Sequence, residues 1–245
     1  NIEDKLLDYI NKPVPTTILV IVYKYKKLDK RKSFVKAVQK VGAYFESAKV
    51  YENKIPEWIS RYLGKKGYKI TPKAGLMLAE YLGTDLHRIT NELDKLIIGL
   101  PKSTQITDTH IEENIGISKE YNIFELQNAL GSRDIYKANR IVNYFAANPK
   151  ENPFVRTISM LYSFFLKLMM FHQLKDRSRN NVASVLSVHP FFVNDYQKAA
   201  ASYPVAKLRK IVSYMRAYDL QSKGVNNNSM TEGELLKELV YKILH

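Results

Sequence analysis

The stretch ISMLYSFFLKLMMF, residues 158–171, is the most apolar part of the chain and decides the class of fold. A bilayer-spanning helix needs about 20 apolar residues, so this stretch is too short to span a bilayer, and Lys167 interrupts it. We therefore expect a buried helix in a protein that makes no contact with a membrane. From about Lys119 onward, helical patterns separated by Pro, Gly and Asn breaks predict an all-helical region around it.

The preceding region, residues 52–118, is also predicted to be helical, without a convincing strand. Thr71 is followed by proline, which is typical of an N-cap with Pro in the first helical turn. Thr84 or Asp85 is expected to cap the next helix, which carries an apolar stripe. Thr107 is expected to cap a shorter helix after it.

The N-terminal region has a different pattern. TTILVIVY, residues 16–23, is continuously apolar apart from its two threonines and rich in β-branched residues, which predicts a strand buried on both faces of a parallel sheet. AYFESAKV, residues 43–50, is a candidate for one more short strand. Because such a strand needs neighbours that residues 1–50 do not supply, we expect this α/β part to be incomplete and to continue before Asn1.

Directly after the predicted strand, YKYKKLDKRKSFVK, residues 23–36, carries seven cations and one acid. Asp29 is a plausible N-cap, which would place Lys30, Arg31 and Lys32 in the first helical turn. Cations at that positive end of a helix cost roughly 0.3–1 kcal/mol each at low salt. A bound anion would relieve this cost. A solvated, lysine-rich helix face is the alternative explanation.

The overall composition limits the classes of function. Lys and Arg number 38 and Asp and Glu 24, which gives a net charge of +14 and favours polyanionic partners such as DNA, RNA or acidic proteins. The absence of Cys excludes disulfides, thiolate zinc sites and Cys nucleophiles. The chain lacks a phosphate-binding P-loop motif, paired histidines and clustered acids. We therefore predict no catalytic residue, no metal site and no cofactor.

Four segments resemble the delta subunit of bacterial DNA polymerase III. TTILVIVYKYKKLDKRKSFVKAVQK, residues 16–40, resembles that family's strand followed by Lys-x-x-Asp-x-Arg, and LGTDLHRITNELDKL, residues 82–96, resembles its second-domain pattern. EYNIFELQNALGSRDIYKA, residues 120–138, is similar to the entry into its third domain. AYDLQSKG, residues 217–224, resembles the Asp-Leu-x-x-Lys-Gly near its C-terminus. The four matches keep their order along nearly the whole chain.

The resemblance implies a mainly α fold in three parts. These are a remnant of an AAA+-like α/β domain at residues 1–51, a small helical lid domain at residues 52–118 and an all-helical collar domain at residues 119–245. It also implies a bacterial, cytoplasmic clamp-loader subunit of the DNA-directed DNA polymerase (nucleotidyltransferase) holoenzyme, without its own ATPase site. Such a subunit assembles with motor subunits and the delta-prime subunit and helps to open the sliding clamp and load it onto primed DNA. The clamp-binding element would lie before Asn1.

The resemblance also gives the basic stretch a role. Its cations would lie at the C-terminal end of a sheet strand, where ligands of open α/β sheets bind. We expect these side chains to face primer–template DNA or a neighbouring subunit. The candidate contact residues are Lys24, Lys26, Lys27, Lys30 and Arg31.

Two alternatives remain open at this point. One is an active AAA+ ATPase, a motor subunit or helicase loader without its phosphate loop, in which Arg88 early in the lid's last long helix would lie near the nucleotide. Turnover of ATP by the intact gene product would favour that alternative. The other is a DNA-binding module indifferent to sequence, whose affinity for DNA would fall steeply as salt rises.

Overall fold

A computed structural model describes residues 2–24, 28–227 and 229–245. Within these residues it has 13 α-helices, two short 3₁₀ helices and two strands of two residues each. The predicted mainly α fold is confirmed. The chain divides into two units, Asn1–Lys49 and Val50–His245.

The first unit contains two helices, α1 (Ile2–Asn11) and α2 (Ser33–Val41). They pack against each other through Ile10, Phe34 and Val35, which are buried. α2 ends at Gly42 as predicted, and the Gly42 N–H donates to the carbonyl of Val38 at 2.9 Å.

The strands predicted at residues 16–23 and 43–50 are absent from the described structure. The side chains of the first segment are exposed, with Ile18 at 91% and Val20 at 74% exposure. A strand is held by hydrogen bonds to a neighbouring strand. Because the described residues of the first unit contain no strand that could pair with this segment, apolar and β-branched composition alone does not form one.

The second unit begins with a group of helices around one buried cluster. Ile59, Leu63, Leu78, Leu93 and Ile106 are fully buried in it. The elements are a 3₁₀ helix (Glu52–Lys54), α3 (Ile55–Lys65), β1 (Lys69–Ile70), α4 (Pro72–Leu82), α5 (Leu86–Ile98), β2 (Gln105–Ile106) and α6 (Asp108–Ile115). β1 and β2 pair in parallel, a contact that the sequence patterns did not predict.

The predicted caps of these helices are present. The Thr71 hydroxyl accepts from the Ala74 N–H at 3.3 Å. Asp85, and not Thr84, caps α5 by accepting from the N–H groups of residues 87 and 88 at 3.0 and 3.2 Å. Thr107 caps α6 in a capping box with His110, whose Nδ1 accepts from the Thr107 N–H at 3.1 Å.

The remaining helices surround a second buried cluster, drawn from residues 123–244. They are α7 (Ile123–Gly131), α8 (Ile135–Ala147), α9 (Phe154–Gln173), α10 (Arg179–Leu186), a 3₁₀ helix (Pro190–Phe192), α11 (Val193–Ser202), α12 (Val205–Ser222) and α13 (Glu232–Leu244). Both buried clusters lie in the second unit. The domain boundaries predicted after residues 51 and 118 stay predictions.

The central helix of this bundle is α9, which packs against α7, α10, α11, α12 and α13. Its buried residues recur every three or four positions and include Leu161, Phe165 and Leu168. α9 extends beyond the stretch 158–171 to 20 residues and is long and apolar enough to cross a membrane by length and composition, so the length argument made for the stretch does not hold for the whole helix. Its burial within the bundle, which was predicted, has the pattern of a core helix.

Two glycines allow helices of this bundle to approach closely. A Cβ at Gly131 of α7 would lie 2.9 Å from the Ala199 Cβ of α11. A Cβ at Gly233 of α13 would lie 2.8 Å from the Ala146 Cβ of α8 and 3.2 Å from its Cα. Real Cβ contacts are longer, so any larger residue at these positions would force the helices apart.

We predict that Gly233→Ala destabilises the protein by about 1–3 kcal/mol, the usual effect of overpacking a tight contact. Urea denaturation followed by circular dichroism would measure the change in free energy of unfolding. The matched control is Gly64→Ala in α3, where a Cβ meets no atom within 4 Å. That variant should gain about 0.5–1 kcal/mol because Ala is the better helix former. Equal effects of both substitutions would contradict the close approach.

Candidate functional site

Part of the predicted basic contact surface lies within the described structure. Lys24 is exposed. Lys30 Nζ lies 2.7 Å from Glu46 Oε2, and this hydrogen bond raises the pKa of Lys30. Lys26 and Lys27 lie outside the described residues, so their contact role stays a prediction.

The prediction that Asp29 caps the following helix is wrong. α2 begins at Ser33 with Lys32 as its N-cap. Asp29 instead accepts from the backbone N–H of Arg31 at 3.0 Å, and its Oδ2 accepts from the Arg31 Nη2 at 2.8 Å. Lys30 and Arg31 therefore precede the helix, and the cost expected for cations in its first turn does not apply to them.

Arg88 lies in the first turn of α5, as predicted. Its guanidinium stacks on the ring of Tyr81, 5.7 Å from the centroid. The surface hollow beside it carries Asp85, Glu92 and Asp94. The hollow also contains Lys95, which pairs with Glu92, and Asp94 pairs with Lys66. The acids are therefore partly neutralised, and the hollow has no excess of cations to attract a phosphate.

The excess positive charge is unevenly distributed along the chain. Residues 50–118 contain nine Lys and Arg and nine Asp and Glu. Residues 1–49 contain eleven cations and five acids, and residues 119–245 contain 18 cations and ten acids. A polyanion would therefore be attracted to the two flanking regions and not to the group of helices between them.

An ion-pair network centred on Glu125 of α7 joins the two buried clusters of the second unit. Lys73 of α4 lies 2.8 Å from Glu125 Oε1 and 3.0 Å from Asp108 Oδ2, and Lys137 of α8 binds Glu125 Oε2. Burial opposes the ionisation of Glu125, but hydrogen bonds from Lys137 and Lys73 hold its pKa below the usual value. Phe124 packs against both clusters beside this network.

A polar groove of about 470 Å³ runs along this network. Arg140 stacks between two of its tyrosines, 5.5 Å from the ring centroid of Tyr121 and 5.8 Å from that of Tyr136. The Arg140 guanidinium also donates to the Tyr121 hydroxyl. Within the described residues, no group of three or more His, Cys, Asp or Glu side chains could hold a metal ion. The groove is therefore built for polar contacts and for stacking.

A second charged pair also reaches from α4 to the other cluster. Arg156 in the first turn of α9 lies 4.0 Å from Glu80 Oε1. Burial raises the pKa of Glu80 to about 7, and the charge of Arg156 offsets this only in part. Sequence patterns did not predict either link, because charges far apart in the chain meet only after the helices pack.

Comparison with known proteins finds a likeness to one family. Residues 120–239, just under half of the chain, match the model of the DNA polymerase III delta subunit, C-terminal domain. DNA polymerase III subunit delta of Bacillus subtilis (strain 168) is 26% identical over 220 residues, which cover 89% of this chain and 63% of the relative.

A solved structure has the same fold. The DNA clamp loader delta protein of Bacillus subtilis aligns with a TM-score of 0.58 and 23% sequence identity, covering 100% of this chain and 71% of that chain. At this identity the likeness concerns the fold. This chain spans less than two thirds of the length of its curated relative.

The family match separates the residues discussed above into two groups. Glu125, Lys137, Arg140 and Arg156 lie within the matched delta domain. Lys73 and Glu80, the α4 residues of the two links, lie before this domain in the sequence. Arg88 and the basic stretch at residues 23–36 also lie before it. The ion pairs therefore join the region that matches this C-terminal domain to the helices that precede it.

We predict that the stability of this link depends on pH through Glu80. Its folded-state pKa of about 7 exceeds the usual glutamate value of 4.5, so between these pH values the unfolded chain releases a proton that the folded chain retains, and stability falls as pH rises. Relative to a Glu80→Gln variant, the wild-type chain should lose about 2–3 kcal/mol of unfolding free energy between pH 4.5 and pH 8. Urea denaturation across this range would measure the difference.

The matched control is Glu57→Gln on α3, where the carboxylate is exposed. The stability difference between this variant and the wild type should stay nearly constant over the same pH range. A difference between Glu80→Gln and the wild type that is equally flat would show that Glu80 is ionised in the folded state without penalty.

Proposed function

We propose that the chain acts as the delta-type subunit of a replicative clamp loader and helps to open the sliding clamp and load it onto primed DNA. The observation that carries this proposal is the match of residues 120–239, from just before α7 into α13, to the delta subunit's C-terminal domain. The names of the related proteins, a polymerase III delta subunit and a clamp loader delta protein, support it. In this role the chain works in the bacterial cytoplasm as part of the polymerase holoenzyme.

Each region of the chain is assigned a part in this role from the two buried clusters of the second unit and from the distribution of charge along the sequence. Residues 119–245 serve as a collar that packs against motor subunits and the delta-prime subunit, and residues 52–118 serve as a lid. Residues 1–51 belong to an AAA+-like domain. The buried cluster of α7–α13, formed without residues of the first unit, supports a collar with its own core.

The subunit carries no ATPase site of its own in this proposal. An active AAA+ ATPase would need Arg88 to face a nucleotide phosphate. Arg88 instead stacks on Tyr81 beside three acids, which supports a structural part for it in the lid.

Contact with primer–template DNA or a neighbouring subunit is assigned to the basic stretch. Lys24, Lys30 and Arg31 are largely exposed, although the last two also pair with acids nearby. Exposed pairs of this kind are weak, so the cations can exchange their acids for phosphates. Binding to DNA would then release counterions and depend on salt.

We predict that the chain assembles with the motor and delta-prime subunits of the same organism. Size exclusion with light scattering should show co-elution at the mass of a mixed complex. A basic protein of similar size, mixed with the same subunits, controls for association driven by charge alone. If the chain elutes as a folded monomer while the other subunits assemble without it, the clamp-loader role is wrong.

We also predict that four substitutions in the basic stretch weaken DNA-dependent clamp loading by about tenfold at near-physiological salt, because phosphate contacts are lost. Circular dichroism should be unchanged, since Lys30 and Arg31 are exposed. The variant replaces four residues by Gln: Lys26, Lys27, Lys30 and Arg31.

A matched variant removes the same number of charges from the electrically neutral region. It replaces Lys54, Lys65, Lys69 and Lys95 by Gln. Loading should fall much less in this variant. Equal loading by the wild type and the basic-stretch variant would assign the stretch to a solvated surface.

A further inference from the structure

The outward face of α9 is apolar although it is exposed. Val155 is 50% exposed, Tyr162 42% and Met170 43%, and Leu166 and Met169 are partly exposed. These five residues are called the outward stripe below. The inward face of the same helix supplies the core of the bundle, so α9 is apolar on two sides.

The outward stripe has the geometry of a helix-docking surface. Val155, Tyr162, Leu166 and Met170 recur at spacings of seven and four residues, and Met169 follows Tyr162 by seven, which places all five on one side of an α-helix. From Val155 to Met170 the stripe extends for about 22 Å at 1.5 Å per residue. Ser159, which lies within it, donates its hydroxyl to the Val155 carbonyl at 2.7 Å, so this polar group is satisfied by its own helix.

A continuous apolar stripe differs from scattered exposed hydrophobic residues. Single exposed apolar side chains are normal on soluble proteins. A contiguous apolar patch marks an interaction site. Helices bind such surfaces through apolar side chains at the same spacings.

The charges at the edge of the stripe indicate the chemistry of the occupant. α9 contains no Asp or Glu, and its two strong cations, Arg156 and Lys167, are eleven residues apart. Eleven residues correspond to about three helical turns, so both cations lie on the same edge of the stripe. Arg156 already pairs with Glu80 of α4, so Lys167 is the cation on this edge that a carboxylate of an occupant would complement.

Lys167 in particular lacks a carboxylate partner in the described part of the chain. Its side chain is half-buried, and none of the described acids forms an ion pair or hydrogen bond with it. This burial lowers the pKa of Lys167. A partly desolvated ammonium group is stabilised when an acid lies against it.

We propose that the outward stripe of α9 docks an amphipathic helix of a partner protein whose apolar face is edged by Asp or Glu. A second copy of this chain fits less well, because an α9 helix placed against α9 offers no carboxylate to Lys167 and the chain carries a charge of +14. The inference rests on the proposed assembly role only for the source of the helix, which would be a neighbouring subunit of the collar.

Two synthetic helical peptides of about three heptads test the chemistry directly. Both carry Leu on one face, and the flanking positions are Glu in one peptide and Lys in the other. Fluorescence anisotropy would measure their binding to the full chain at physiological salt. We expect the Glu-flanked peptide to bind about tenfold more tightly, as for a partly desolvated ion pair.

Variants of the stripe separate docking from general attraction to a basic protein. Lys167→Met should remove most of the preference for the Glu-flanked peptide, and Tyr162→Ser should weaken both peptides. The matched controls on α13, Lys237→Met and Tyr241→Ser, replace exposed residues of the same types and should leave binding unchanged. Thermal melting would confirm that each variant is folded.

Several outcomes would contradict the proposal that the outward stripe docks a helix edged by acids. They are equal affinity for both peptides, absence of binding, or equal losses in Lys167→Met and Lys237→Met. A dimer in sedimentation that Tyr162→Ser abolishes would assign the stripe to self-association. Capture by phosphatidylglycerol vesicles that depends on Tyr162 would assign it to a membrane surface. If the peptide results hold but the mixed complex does not form, the proposed function fails and the docking face stands.

Discussion

The burial of α9 is the constraint on which the C-terminal part of the structure depends. Five other helices pack against it, so its inward residues determine where the rest of the bundle lies. Phe165 meets the ring of Tyr203 edge to face at 5.4 Å between centroids. The Tyr203 hydroxyl, which is buried, donates to the Leu130 carbonyl at the end of α7 at 2.7 Å. One aromatic contact thus connects the central helix to the entry of α12 and to the exit of α7.

The next level of organisation depends on α4. This helix sends Lys73 to Glu125 and Glu80 to Arg156, so both ion pairs that join the two buried clusters start on one element. The two acids have opposite environments. Glu125 accepts from two lysines and is held in its charged form, whereas burial opposes the charged form of Glu80. Of the two links between the clusters, the Glu125 link therefore keeps its charge at neutral pH, whereas the charge of Glu80 in the other link changes near neutral pH.

Sequence patterns predicted the features that depend on local chemistry. Thr71 and Asp85 cap their helices because a side-chain oxygen a few residues from an N–H is sufficient. The burial of α9 followed from its apolar composition. The strand predicted at residues 16–23 is absent because a strand depends on a neighbouring strand, and the described residues of the first unit contain none. The predicted N-cap role of Asp29 was wrong because its carboxylate binds Arg31 instead. The Glu125 network could not be predicted, since only packing brings its residues together.

The surfaces of this chain are more distinctive than its hollows. The groove along Glu125 holds nearly balanced charge, and the hollow beside Arg88 is acidic, so neither resembles a site for a phosphate. Along the sequence, the excess cations lie before residue 50 and after residue 118, and α9 presents apolar residues outward. These surfaces are the parts of the structure on which the proposed contacts with other macromolecules depend. The faces that stay exposed after folding determine which contacts the chain can make. α9 connects the core with the outer surface, because one of its faces builds the core and the other is left uncovered.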